Sequence, residues 1–152
     1  MNVVREDLLV TAAGILEDWA MMMVDRSETV IEQFDYDLPF YRSSISFQGV
    51  VNGSYFIVCQ EAFARTLAAN LLGSEIETNE SVTNDALKEM INVISGNLLT
   101  MSFGEDTVFD LSVPQVDKIT PDEVRKFDVK QTISFVADCE PVLISFEVRD
   151  AY

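Results

Sequence analysis

The sequence contains no histidine. That absence removes imidazole general bases, His-assisted serine and cysteine nucleophiles, and imidazole zinc ligands together. Cysteine is nearly missing too. Cys59 and Cys139 each sit in an apolar, strand-like run, without CxxC spacing, so two buried reduced thiols are expected rather than a metal or redox pair. Basic residues are scarce, 10 against 26 acidic ones, for a formal net charge of −16. Such a surface repels phosphate backbones and anionic lipids, so neither nucleic acid nor a membrane is an expected partner. No apolar run is long enough to span a bilayer. Residues 1–7 lack a basic stretch followed by an apolar one, so no secretory signal is read and a cytoplasmic protein is expected. Gly/Ser-rich linkers are absent as well. Any catalysis must use carboxylates, amides, hydroxyls, lysine or groups brought by a partner.

What is present suits one compact domain over residues 1–152, since 48% of the chain is apolar. Apolar spacing predicts a first helix over residues 5–24, with Leu8, Leu9, Ala12, Ile15, Leu16, Trp19, Met22 and Met23 on one face. Three of the six methionines fall there and are expected to fill core gaps. Residues 43–60 alternate as a hairpin, with Asn52-Gly53 as its tight turn. A second helix is predicted over residues 61–72, with Phe63, Leu67, Leu71 and Leu72 inward and Gly73 ending it. After an acidic connection over residues 75–83, Thr83 or Asn84 caps a third helix running to about Phe103, stopped by Gly104. Pro114 and Pro121 bracket an irregular region. Residues 130–137 and 142–149 form a second hairpin. Ile45-Ser46-Phe47 and Ile133-Ser134-Phe135 open the two hairpins alike, which suggests two helix-plus-hairpin halves sharing one sheet; Ile144-Ser145-Phe146 repeats the tripeptide by itself, so chance likeness between strands stays open. The expected fold class is therefore α+β, a mainly antiparallel sheet with long helices packed on it.

The third helix carries the chemistry. At about 100° per residue, Leu87, Met90, Ile91, Ile94 and Leu98 form an inward stripe, while Asp85, Glu89, Asn92 and Gly96 share the opposite side. A carboxylate and a carboxamide thus project together from a rigid helix. A polar outer face is ordinary for any helix. Asn and Gly, however, are both poor choices in mid-helix, where Gln or Lys would serve solubility better. Gly96 leaves a flat place for another surface to approach. Leu99 and Phe103 fall on or near this outer side, where they could pack under residues 105–114 or form an apolar rim.

Asp85-x3-Glu89-x2-Asn92, followed later by Pro114 within Leu111-Ser112-Val113-Pro114, resembles the signature of the CheC, CheX and FliY chemotaxis phosphatases. The run Asn92-Val93-Ile94-Ser95-Gly96-Asn97 is similar to that family's text after the Glu, and Ile45-Ser46-Phe47-Gln48-Gly49 resembles its hairpin. The first helix lacks the motif: after Asp7 it offers Thr11 and Gly14 where Glu and Asn would be needed. One site per chain makes the sequence most similar to CheX.

The resemblance implies hydrolysis of the phospho-aspartate of a CheY-like receiver domain, in chemotaxis or related two-component signalling. Asn92 would orient the attacking water, and Glu89 would pair with the receiver's active-site Lys. Asp85 and Gly96 would support the contact. No cofactor of the chain's own is implied, because the receiver supplies Mg²⁺. A homodimer joined through an exposed sheet edge is implied too. Two other readings stand beside this one. The same fold could act as a non-catalytic adaptor or motor-switch component. An unrelated acidic metal enzyme would need Asp35 and Asp37 to converge with Asp122 and Glu123.

Overall fold

The computed structural model describes residues 5–73, 79–127 and 131–149. Helix α1 (Arg5–Asp18) leads through a short strand β1 (Val24–Arg26) and a single-turn helix α2 (Val30–Gln33) to a hairpin, β2 (Phe40–Gln48) and β3 (Asn52–Gln60). Helices α3 (Glu61–Leu72) and α4 (Glu80–Phe103) follow, then short strands β4 (Asp110–Leu111) and β5 (Gln115–Ile119) and a short helix α5 (Pro121–Arg125). The second hairpin, β6 (Thr132–Ala137) and β7 (Glu140–Arg149), completes the described chain.

All seven strands form one antiparallel sheet in the order β1-β6-β7-β3-β2-β4, with β5 also on β2. The hairpins lie back to back. Their second strands pair at the centre, where Ile57 faces Ile144 and Tyr55 faces Phe146, so the sheet has the two-hairpin plan read from the repeated tripeptide. Alternation along the strands sends Ile45, Phe47, Tyr55, Ile57, Ile133, Phe135 and Ile144 to one face, against α1, α3 and α4. Val58 and Leu143 point the other way and meet Val30, Phe34, Phe40, Ile119 and Val124 under α2 and α5.

Several sequence expectations need correction. Helix α1 stops at Asp18. Met21 then adopts φ 54°, which a helix cannot accommodate, and the chain turns into β1, where the Met23 amide donates to Asp138 Oδ1 at 2.8 Å. Met22 is buried as expected, but Met21 and Met23 are 63% and 79% exposed. Asn52-Gly53 is not the tip of the first hairpin. Gly53 lies within β3 opposite Phe47 and Val148, and any Cβ there would strike the Glu147 carbonyl oxygen and the Phe47 ring. Close packing, not a turn, demands that glycine.

Gly73 and Gly104 do end their helices, with φ of 94° and 90°, but Leu71 is only half-buried and Leu72 is exposed rather than inward. The cap of α4 is Asn79, whose side chain accepts the Val82 amide at 3.0 Å, so the helix begins a turn before Thr83. The region between Pro114 and Pro121 is a strand: β5 pairs with Phe40–Ser44 of β2. Between β4 and β5 the Ser112 hydroxyl accepts the Ser46 amide at 2.9 Å, carrying the ladder across a break in the edge. Cys59 is buried, and Cys139 is exposed in the β6–β7 turn. Residues 75–78 of the acidic connection, and Lys130, lie outside the described residues.

Candidate functional site

Helix α4 spans 24 residues, about 36 Å at 1.5 Å per residue. Leu87, Met90, Ile91, Ile94 and Leu98 are all buried in the main core. Ser43 on β2 fixes the helix against the sheet: its buried hydroxyl donates to the Leu87 carbonyl at 3.0 Å. Leu99 is also buried, and the Phe103 ring packs 5.1 Å from Phe109. Phe103 therefore lies against the segment that follows the helix, and Leu99 belongs to the main core, so neither forms a rim.

With the inner face anchored, the outer one is set. Asp85, Glu89 and Asn92 are exposed. None of the three takes part in a hydrogen bond or ion pair within the described residues. Asn97, one turn on, differs: its amide donates to the Val93 carbonyl at 2.8 Å. Gly96 is half-buried rather than exposed, with nothing within 4 Å of the place a Cβ would occupy. Packing does not require a glycine there. On α1, Thr11 donates to Met101 Sδ at 2.9 Å and Gly14 faces open space, so that helix presents no second carboxylate–carboxamide pair. Pro114 stands just ahead of β5 at the sheet edge.

Three of the four carboxylates that a metal enzyme would need make local contacts of their own. Glu123 closes a capping box with Thr120 at the start of α5, Asp122 pairs with Arg125, and Asp35 Oδ1 accepts the Asp37 amide. No group of three or more metal-ligating side chains converges among the described residues.

One feature of the site escapes the sequence reading. A hollow of about 310 Å³ lies beside Glu89, bounded by Trp19, Leu71, Leu72, Asp85 and Ala86 as well. Its sequence signal is the Leu71-Leu72 pair, one apolar residue more than the inward face of α3 can hold.

Chemically, a free carboxylate three residues before a free carboxamide can pair with a cation and hold a water from both sides, since the amide both donates and accepts. The family model for chemotaxis phosphatase CheX matches residues 41–146. The chain belongs to the CheX family. CheX from Desulfovibrio desulfuricans has the same fold at a TM-score of 0.69 and 17% identity, covering 95% of this chain and 97% of that one. A CheX-CheY-BeF3-Mg²⁺ complex from Borrelia burgdorferi matches at 0.65 and 18% identity over 95% and 97%. Thermotoga maritima FliY matches at 0.56 and 14% over 99% and 93%. No curated protein matches the chain by sequence. No helix among the described residues is long and apolar enough to cross a membrane.

Proposed function

We propose that this CheX-family chain accelerates hydrolysis of the phospho-aspartate of a CheY-like receiver domain. The observation that carries the reading is the pair Glu89 and Asn92, exposed on one face of α4 and without a hydrogen bond or ion pair among the described residues. An acyl phosphate is already primed for hydrolysis, so the helper need only hold a water in line with the scissile bond. Asn92 does this without acting as a base, much as a GTPase glutamine does. Glu89 pairs with a lysine of the receiver and sets the docking register. Mg²⁺ and that lysine belong to the receiver, where they neutralise the phosphoryl oxygens. Asp85 and Gly96 border the contact. The same reading makes the chain a cytoplasmic component of two-component signalling, and a homodimer through a sheet edge. The Borrelia complex, in which a CheX is bound to CheY-BeF3-Mg²⁺, supports it.

The test is phosphate release from phosphorylated receivers. Wild type should accelerate it. Asn92→Ala should lose about a hundred- to thousandfold, the usual cost of one oriented polar group, while still binding the receiver. Glu89→Ala should lose binding as well as turnover. Equal rates for wild type and Asn92→Ala would refute the water-positioning role, and binding without any acceleration would leave an adaptor.

A further inference from the structure

The hollow beside Glu89 has an apolar floor of Trp19, Leu71, Leu72 and Ala86 and a rim whose polar groups, Asp85 and Glu89, are both acidic. Leu72 is 48% exposed, and Trp19 and Leu71 are only half-buried. Met21, two residues past Trp19, is exposed as well. The described residues thus leave part of Trp19, Leu71 and Leu72 uncovered at the edge of the hollow, as a contact site requires. A closed cavity of about 150 Å³ accepts benzene, so an open hollow of about 310 Å³ takes one large apolar side chain.

Charge narrows the occupant. Among the described residues no lysine or arginine lines the hollow, and the chain carries a net −16, so charge complementarity favours a cationic approaching segment. Glu89 belongs both to this rim and to the face that carries Asn92, whose Cβ lies roughly 5–6 Å away at this helical spacing. A group docked at Asn92 is therefore within reach of the hollow.

We propose that the hollow is the receiver-selecting pocket: it takes one apolar side chain from the same receiver segment that presents the cation to Glu89. This rests on the receiver reading given above. An ion pair left in water contributes about fivefold in affinity at most, too little to hold a docked complex. A side chain filling the hollow removes water from the flank of Glu89, which strengthens that pair and adds apolar burial. Receivers with a small or polar residue at that place are then poor partners even when their catalytic groups are intact.

The experiment compares wild type with Leu72→Gln and Leu72→Lys, and with Leu38→Lys as control. Leu38 is similarly exposed, at 53%, but lines a different hollow with Gln60 and Cys139. The measurements are the Kd for a CheY-like receiver activated with beryllofluoride and Mg²⁺, the KM and kcat for the phosphorylated receiver, and the melting temperature. Leu72→Lys should raise Kd and KM by about tenfold or more, with Leu72→Gln intermediate, because a centrally placed apolar contact is lost and the cation repelled. The kcat at saturating receiver should stay within about twofold, since Leu72 does not touch the reacting atoms. Leu38→Lys should match wild type. Unchanged Kd in both Leu72 variants overturns the proposal. So does a fall in melting temperature with unchanged Kd, which would mean that the chain itself fills the hollow. If wild type binds the receiver, Leu72→Lys does not, and neither accelerates hydrolysis, the pocket stands and the phosphatase reading falls. A wild type that binds no receiver overturns both.

Discussion

The Ser43 hydroxyl crosses the interface between sheet and helix to donate to the Leu87 carbonyl, 3.0 Å away. Leu87 precedes Glu89 by two residues, so this bond sets the rotation of α4 just where its outer face becomes the site. The carbonyl keeps its helical partner if the hydroxyl is removed, and only the hydroxyl's own contribution is lost. Ser43→Ala should therefore destabilise the fold by about 0.5–1.5 kcal/mol, measured by urea unfolding. A loss below about 0.3 kcal/mol would show that apolar packing alone sets the rotation.

The two faces of α4 should respond to truncation in opposite ways. Glu89→Ala and Asn92→Ala should change stability by no more than about 0.5 kcal/mol, because their side chains are exposed and unpartnered. Leu87→Ala and Ile94→Ala should each cost roughly 2–5 kcal/mol, as buried truncations that leave cavities. Urea titrations of the four variants decide it, and equal losses at all four would contradict the assignment of faces.

Two glycines should answer differently to an added methyl group. Gly96→Ala enters open space and should stabilise α4 by up to about 1 kcal/mol, while weakening receiver binding if that spot is the landing surface. Gly53→Ala drives its Cβ into the Glu147 backbone and the Phe47 ring, and should cost about 1–3 kcal/mol or prevent folding. Thermal melts and receiver titrations check both, and a stabilised Gly96→Ala with unaltered affinity would remove Gly96 from the contact.

The two thiols should separate cleanly under an alkylating reagent. Burial pushes the Cys59 thiol well above its ordinary range, so it stays protonated and shielded. Cys139 is exposed in a turn. Native protein should therefore be labelled once, at Cys139, and denatured protein twice, as read by intact mass. Rapid labelling of Cys59 in the native state would mean that β3 opens readily.

The core and the face of α4 were legible because their signals are local and redundant. The inward stripe repeats through five residues, and Gly73 and Gly104 punctuate the helices with backbone angles that suit glycine. The start of α4 was hidden because its first turn, Glu80 to Val82, is mostly polar, so the apolar period begins after the cap. Met21 and Met23 extended the first helical pattern falsely, because methionine reads as core whether buried or wet. Asn52-Gly53 carries the composition of a turn, but that glycine answers to a packing constraint from Phe47 and β7 that only the folded sheet reveals. Strand β5, with Gln115, Asp117 and Lys118 exposed, has an edge strand's polarity and reads as loop. The hollow beside Glu89 joins residues from α3, α4 and the turn after α1, and beyond the extra apolar residue of Leu71-Leu72 no local pattern announces such a meeting.

Glu89 and Asn92 form no hydrogen bond or ion pair with any other described residue, and that bears on descent. A mutation at either position leaves a chain that folds, persists and escapes cellular quality control, since no structural contact is lost. Under the proposed function, the loss of Asn92 alone would leave a stable pseudoenzyme in one substitution, one that still docks through Glu89. The reverse path is equally short, and α1 offers a second helix for a carboxylate–carboxamide pair, where Gly14 faces open space and only the Thr11 bond to Met101 would be lost.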